Sequence, residues 1–496
     1  MWTIKKCTFI PQNTDKKINK KIESDLTITI KKTIGNKQFP PEIIRLYANI
    51  GNYLIVPRFY PILHDLPYKM TLKKQSHINI SFDFKLITKN QEVVFEKLKQ
   101  IYSIPNGCNL IMRTGEGKTF LGMKLIEFLK CKTLIVTHSR EIAMTWEKYM
   151  ISFLSAHSSS VGEEKGEEKD EGGDEKGKQC EFIGTMFTKK KNKQNITVGV
   201  INTLLKQNKE WFDFDLVIYD EITEYVSDKR RTIFELASAP YLLGLTATPD
   251  IIKQKIFKYN IGPLLYAKDI KGYSQTEIKW KVHIKAIKYY GPPEFTERKL
   301  SSIGFTSACE MDKQFMEDPY RNKLICQEII KLYNLGKNVY VFFSLCAYGE
   351  IIKKLLYSHF LQFSHSSPIC EERGEGGEER GEEKIIDFLM GSYKTSDLEE
   401  LKKNKQSIIL TTYKYCSKGI SIDKMDAIIL CQPRKSDTEQ TIGRILRASG
   451  NVESERIIID IIDMCTTLKS QFSFRKKIYQ EFNFDLEIIK VHHGSI

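Results

Sequence analysis

The chain has 496 residues, 41% hydrophobic and 28% charged, with a formal net charge of +14 and a pI near 9.0; this is room for two or three domains with large cores, in an ordinary globular composition. Its eleven cysteines form no CxxC pair, the nearest two being Cys416 and Cys431, which argues against zinc and disulfide frameworks and for a reducing intracellular compartment. No apolar run approaches the ~20 residues that span a bilayer, and the opening MWTIKKCTFIPQNTDKK lacks a signal peptide's apolar core, so a soluble protein with no membrane partner is expected.

In chain order, residues 1–80 contain Pro40, Pro41, Pro57, Pro61 and Pro67, which break any long helix and predict a small N-terminal accessory domain. Apolar runs then fall at 109–112, 133–137, 196–201, 216–219 and 241–245, and a second series falls at 339–343, 407–410, 427–430 and 456–462. Runs of this length suit strands buried on both faces. Helical patterns lie between them, for example at 120–129, 141–153 and 322–335. The alternation predicts an α/β fold of two lobes, each a parallel sheet with helices on both sides. The first lobe is drawn at 81–264, a linker at 265–315, the second lobe at 316–465 and a C-terminal extension at 466–496.

Two acidic tracts interrupt the lobes. Residues 162–178 carry eight acids and four bases, and residues 371–384 carry seven acids and three bases. Neither can bury a core, so both read as disordered surface insertions, the rival reading being an acidic mimic that blocks a nucleic-acid path. Each sums to −4, which leaves +22 on the rest. Such a surplus points to a polyanionic partner, against the plainer reading of a lysine-rich solvated surface.

Asn109 to Met112 is followed by Arg113-Thr114-Gly115-Glu116-Gly117-Lys118-Thr119 and an apolar helix. Strand, glycine loop, Lys-Thr and helix stand in the order of a phosphate-binding loop, although Met112 occupies the position where the strict pattern has glycine. Gly115 and Gly117 let the backbone amides turn toward phosphates, and the helix N-terminus adds partial positive charge. Lys118 supplies a charge for the β- and γ-phosphates, and the Thr119 hydroxyl can ligate Mg²⁺. Taken alone, the loop also fits a tight glycine turn before a helix cap.

Leu216-Val217-Ile218-Tyr219-Asp220-Glu221 is an apolar strand ending in two acids. Parallel strand ends share one sheet edge with the loop, so Asp220 is expected to hold Mg²⁺ and Glu221 to orient and deprotonate the attacking water. Further on, residues 437–447 read as a helix capped by Asp437. Gln440, Arg444 and Arg447 are spaced to share one face, with Ile442, Ile445 and Leu446 turned to the core. Two arginines so placed can reach a γ-phosphate bound in the other lobe; an amphipathic helix with a basic outer face is the alternative.

Together these motifs resemble superfamily 2 helicases over about residues 85–465. They are Gln91, residues 114–119, Asp220-Glu221-Ile222-Thr223, Thr246-Ala247-Thr248, the segment 411–422 and residues 440–447. Within that family the chain resembles the helicases of large cytoplasmic DNA viruses, of the African swine fever virus and poxvirus transcript-release kinds. The narrower likeness rests on residues 198–204, 243–249, Lys418-Gly419-Ile420-Ser421, 440–447, Asp318-Pro319-Tyr320-Arg321 and Arg475-Lys476-Lys477-Ile478-Tyr479. It implies two RecA-like lobes, ATP and Mg²⁺ as cofactors, and a helicase or translocase acting on DNA more than RNA. It also implies links to viral transcription machinery, and a place in the virion and host cytoplasm. Gln91 would read adenine or support the nucleotide pocket, and Thr114 to Thr119 would hold the phosphates. Thr246 and Thr248 would couple hydrolysis to lobe movement. Ser139, Arg140 and Thr203, with Thr411 and Thr412 in the second lobe, would touch the strand's phosphates without reading sequence. The chain departs from the pattern at Thr223, Thr441 and Ser421, yet keeps the hydrolysis set of Lys118, Thr119, Asp220, Glu221, Arg444 and Arg447. An RNA helicase on the same fold, a double-stranded-DNA translocase that does not unwind, and a non-catalytic scaffold of a transcription complex stand as alternatives.

Overall fold

The structure is a computed structural model that describes residues 2–4, 7–11, 16–34, 37–155, 182–187, 191–236, 238–247, 252–274, 281–301, 304, 306–364, 385–389, 406–413, 425–432, 438–446, 454–464 and 468–496. Both acidic tracts, Thr248 and Arg447 lie outside these residues. The chain divides into two compact units, Met1–Glu277 and Ile278–Ile496.

The first unit opens with β1 (Trp2–Ile4), β2 (Cys7–Pro11), a bulged hairpin of β3 (Thr27–Ile34) and β4 (Lys37–Arg45), then β5 (Ala48–Ile50), β6 (Tyr53–Pro57) and β7 (Tyr68–Met70). Five of these strands form a small mixed sheet in the order β5-β6-β2-β1-β7. This accessory region is not a separate body. Arg58 is buried and donates to the carbonyls of Ala239 and Pro240, and Phe59 joins the apolar layer under the main sheet.

That sheet contains β8 (Gly107–Ile111), β9 (Thr133–Thr137), β10 (Ile183–Met186), β11 (Ile196–Val200), β12 (Leu216–Asp220), β13 (Tyr241–Thr246) and β14 (Leu264–Tyr266). All seven run parallel, in the order β10-β11-β9-β12-β13-β8-β14. Alternate residues of one strand enter opposite apolar layers, with Ile135 in one and Leu134 and Val136 in the other. The uninterrupted apolar runs therefore mark strands covered on both sides.

The second unit repeats the plan with β15 (Val282–Tyr290), β16 (Val339–Phe343), β17 (Ile386–Leu389), β18 (Ile408–Thr412), β19 (Ala427–Leu430), β20 (Arg456–Asp463) and β21 (Asp485–His492). These are parallel in the order β17-β18-β16-β19-β20-β15-β21. The expected two-lobed α/β class holds, but two segment readings need correction. Residues 265–315, drawn as a linker, supply the last two residues of β14 and all of β15. The C-terminal extension supplies the edge strand β21. Neither strand is a plain apolar run: β15 buries Val282, Ile284 and Ala286 while alternating with His283, Lys285 and Lys288, and β21 is largely exposed. A search for fully buried strands misses half-buried and edge strands.

Candidate nucleotide site

Register brings the first-lobe candidates together. Asp220 at the end of β12 pairs with Leu245 on β13, and Thr246 pairs with Ile111 at the end of β8. The glycine loop, the acid pair and Thr246 therefore leave the sheet side by side at its C-terminal edge, where open parallel sheets bind ligands. Met112 N donates to Thr246 O at 3.1 Å, tying the loop's first residue to that strand.

Within the loop Gly115 and Gly117 have φ of +87° and +89°, left-handed backbone that glycine adopts without strain. The helix Lys118–Leu129 starts directly after Gly117. Lys118 Nζ lies over the loop, donating to Met112 O at 3.0 Å and Arg113 O at 3.2 Å. Thr114 Oγ1 is buried without a hydrogen-bond partner in the structure. Gln91 is 3% exposed and braces the loop from the helix Lys89–Ile101. Its Nε2 donates to Glu116 O at 3.0 Å and its Oε1 accepts from Ile87 N at 2.8 Å. The amide thus ties the loop to the segment that precedes this helix. The Glu116 carboxylate accepts from Arg113 N at 3.0 Å and from Tyr273 OH at 2.7 Å, so it shapes the loop rather than opposing a phosphate.

Asp220 is 8% exposed. Burial pushes its carboxyl above the usual carboxylate range, opposed by a hydrogen bond from Trp146 and by the nearby Lys118 charge. Trp146 Nε1 donates to Asp220 Oδ2 at 2.8 Å, and Tyr225 OH donates to the Asp220 main-chain oxygen at 2.7 Å. Glu221 sits at φ +53°, a conformation that costs a non-glycine residue about 1–3 kcal/mol and persists where surroundings impose it. His138, beside the acids, has its pKa lowered chiefly by burial, opposed by the charges of Glu224 and Asp220. A hydroxyl at Thr119 and one carboxylate at Asp220 fit Mg²⁺, which takes few protein oxygens and completes its shell with phosphate and water. No three-residue metal cluster occurs among the described residues.

The proposed strand contacts are less uniform. Arg140 is exposed and Thr203 half-exposed, just past the ends of the neighbouring strands β9 and β11. Ser139 instead caps the helix Arg140–Phe153, accepting from Ile142 N at 3.3 Å. In the second unit Thr411 and Thr412 are buried, and the Thr411 hydroxyl donates to Leu389 O at 3.3 Å. The Thr411 hydroxyl thus ties the end of β18 to the neighbouring strand β17.

The helix expected over 437–447 is shorter, Thr438–Ile442. From there Arg444 N bonds Thr441 O, Ile445 N bonds Ile442 O and Leu446 N bonds Gly443 O. These i→i−3 bonds wind the chain more tightly than the α-helix on which the shared face of Gln440, Arg444 and Arg447 was reckoned. Ile442, Ile445 and Leu446 enter the core as expected, and Arg444 is 8% exposed.

Two resemblance motifs prove to be braces. Buried Arg321 makes a two-pronged pair with Asp463 at 2.7 and 2.9 Å, and Arg475 one with Asp460 at 2.9 and 2.9 Å, each fastening a helix to β20. Sequence reasoning also missed Trp146, Tyr225 and Tyr273; only the fold reveals which buried acid an aromatic donor reaches.

The family description "Type III restriction enzyme, res subunit" matches residues 84–251. An African swine fever virus protein (isolate Pig/Kenya/KEN-50/1950), provisionally named as an ATP-dependent RNA helicase, is 26% identical over 428 residues, covering 82% of this chain and 75% of the relative. A protein of Acanthamoeba polyphaga mimivirus with the same provisional naming is 25% identical over 490 residues, covering 94% and 82%. Among solved structures, the DEAD-box helicase Mss116 bound to ssRNA and UDP-BeF superposes with a TM-score of 0.54 at 14% identity, covering 82% of this chain and 76% of that one. The last likeness concerns the fold alone.

Proposed function

Taking as premise that this chain is of the superfamily 2 helicase type, similar to helicases of large DNA viruses, we propose that it is an ATP-driven motor on nucleic acid. The observation that carries this is the shared edge of the first sheet, where the glycine loop, Lys118, Asp220, Glu221 and Thr246 emerge together. Lys118 and the amides after Gly115 and Gly117 hold the β- and γ-phosphates. Asp220 and Thr119 hold Mg²⁺, which when bound neutralises charge across those phosphates. Glu221 orients the attacking water and takes its proton. Arg444 and Arg447 of the second lobe stabilise the charge that builds on the γ-phosphate, as arginine fingers do. Their engagement and release make hydrolysis gate a cycle of lobe movement, with Thr246 and Thr248 coupling the two. The N-terminal accessory region and the two insertions keep the bounds given from the sequence, while the lobes extend to take in β14, β15 and β21.

For the strand, the motif resemblance points to DNA, whereas the two viral relatives carry RNA in their names. Contacts from Arg140 and Thr203 to phosphates need no 2′-hydroxyl. DNA is therefore placed first, with RNA on the same fold as the second reading, and transcript release by a transcription complex as the process. ATP hydrolysis measured with single-stranded DNA, duplex DNA and RNA tests this. DNA stimulation is expected; stimulation by RNA alone moves the substrate, and the absence of any stimulated hydrolysis leaves only the scaffold alternative.

A further inference from the structure

Trp146 touches the Asp220 carboxylate directly, and no step above uses it. It lies in the helix Arg140–Phe153, is 1% exposed, and gives its only polar hydrogen to Asp220 Oδ2 at 2.8 Å. An indole N–H donates and never accepts, and a bond to a carboxylate is roughly twice as strong as a neutral one. The same ring abuts the helix that follows the phosphate loop: a Cβ built on Gly122 would lie 2.7 Å from Trp146 Cη2. The tryptophan is thus wedged against the loop helix on one side while gripping the acid on the other. Tyr225 fixes the other end of Asp220, its OH bonding both Asp220 O and Val136 O at 2.7 and 3.0 Å.

We propose that Trp146 is a positioning residue for the cation of the nucleotide site. It engages Oδ2 of Asp220, whose carboxylate also receives the Glu221 main-chain N–H, and keys the orientation in which that carboxylate meets the cation to the loop helix through Gly122. A tryptophan that only filled the core would be indifferent to Mg²⁺. The inference rests on the assignment of Asp220 to Mg²⁺ made above. Residues that hydrogen-bond a metal ligand from behind commonly govern metal affinity by about 10- to 100-fold.

Full-length wild type and Trp146→Phe are titrated with a fluorescent ATP analogue, in EDTA and over a Mg²⁺ series. Phenylalanine keeps the aromatic body and removes the donor. Affinity in EDTA is expected to agree within about twofold, while the Mg²⁺ concentration needed for tight binding rises about 10- to 100-fold. Equal Mg²⁺ dependence in the two proteins overturns the proposal with the nucleotide site intact. Failure of wild type to bind the analogue at all instead removes the nucleotide-site reading, and the positioning role with it. If Trp146→Phe does not fold, the unsubstituted chain still decides. Its four tryptophans give four indole N–H resonances, and Trp2→Phe, Trp211→Phe and Trp280→Phe identify that of Trp146 by elimination. It is expected to move when Mg²⁺ joins the ADP complex and to stay still with ADP in EDTA; a resonance indifferent to Mg²⁺ overturns the proposal.

Discussion

Replacing Gly117 by alanine tests the loop geometry through two separable costs. Gly117 has φ +89°, where an L-residue costs about 1–2 kcal/mol. The added Cβ would also lie 2.4 Å from Gln91 Nε2, so the amide has to leave its place. Its departure breaks the 3.0 Å bond to Glu116 O. That loss is about 1 kcal/mol if the amide reaches water and up to about 3 kcal/mol if it stays buried. Together the substitution costs about 2–5 kcal/mol. Residues 113–117 add nothing to the sheet's apolar layers, so the cost falls on the phosphate-binding conformation and the lobe stays folded. Titration with a fluorescent ATP analogue, with thermal melting as control for folding, is expected to show affinity falling at least about thirtyfold. Gln91→Ala should weaken binding in the wild-type background and add nothing in the Gly117→Ala background, because one hydrogen bond cannot be lost twice. Wild-type affinity in Gly117→Ala, or additive effects of the two changes, would show that the loop does not depend on the left-handed Gly117 and its Gln91 brace.

Glu221→Gln is expected to lower ATP turnover at least about 100-fold, in line with loss of a general base, while the fluorescent analogue binds within about threefold of wild type; normal turnover removes the assignment. Asp463→Asn leaves the buried Arg321 guanidinium without its carboxylate, which should cost about 3–5 kcal/mol of second-unit stability, read in a denaturant melt, with nucleotide affinity of the first unit unchanged. Thr411→Val should leave nucleic-acid affinity within about twofold in a filter-binding titration, since that hydroxyl is spent on Leu389 O; a change on the scale of a lost phosphate contact would contradict the internal role. Deleting residues 162–178 and 371–384 together is expected to leave the ATPase rate unchanged, and a faster rate would favour the acidic-mimic reading.

Much of the first lobe was legible in the sequence because its signals are local. Fully buried parallel strands produce unbroken apolar runs such as Thr133–Thr137, and a phosphate loop needs its glycines at fixed spacing after one of them. The acid pair followed for the same reason, since a strand end is a sequence position as well as a place in space. Features that depend on long-range contact were hidden. Nothing near Trp146 in sequence shows that its indole meets Asp220, 74 positions away, nor that Arg321 reaches Asp463 across 142. β15 escaped because lysines alternate through it. The arginine segment was mis-wound because a five-residue helix ending in i→i−3 turns looks, in composition, like a longer α-helix.

We propose that hydrolysis draws on Lys118, Asp220 and Glu221 of the first lobe and on Arg444 and Arg447 of the second. The direct measurement is the steady-state ATPase of Arg444→Ala at saturating ATP and nucleic acid, in protein whose melting curve matches wild type. Loss of an arginine finger predicts a kcat lower by about 10³-fold or more, with the affinity for the ATP analogue held within about threefold by the intact first lobe. A variant that hydrolyses ATP at the wild-type rate would contradict the account.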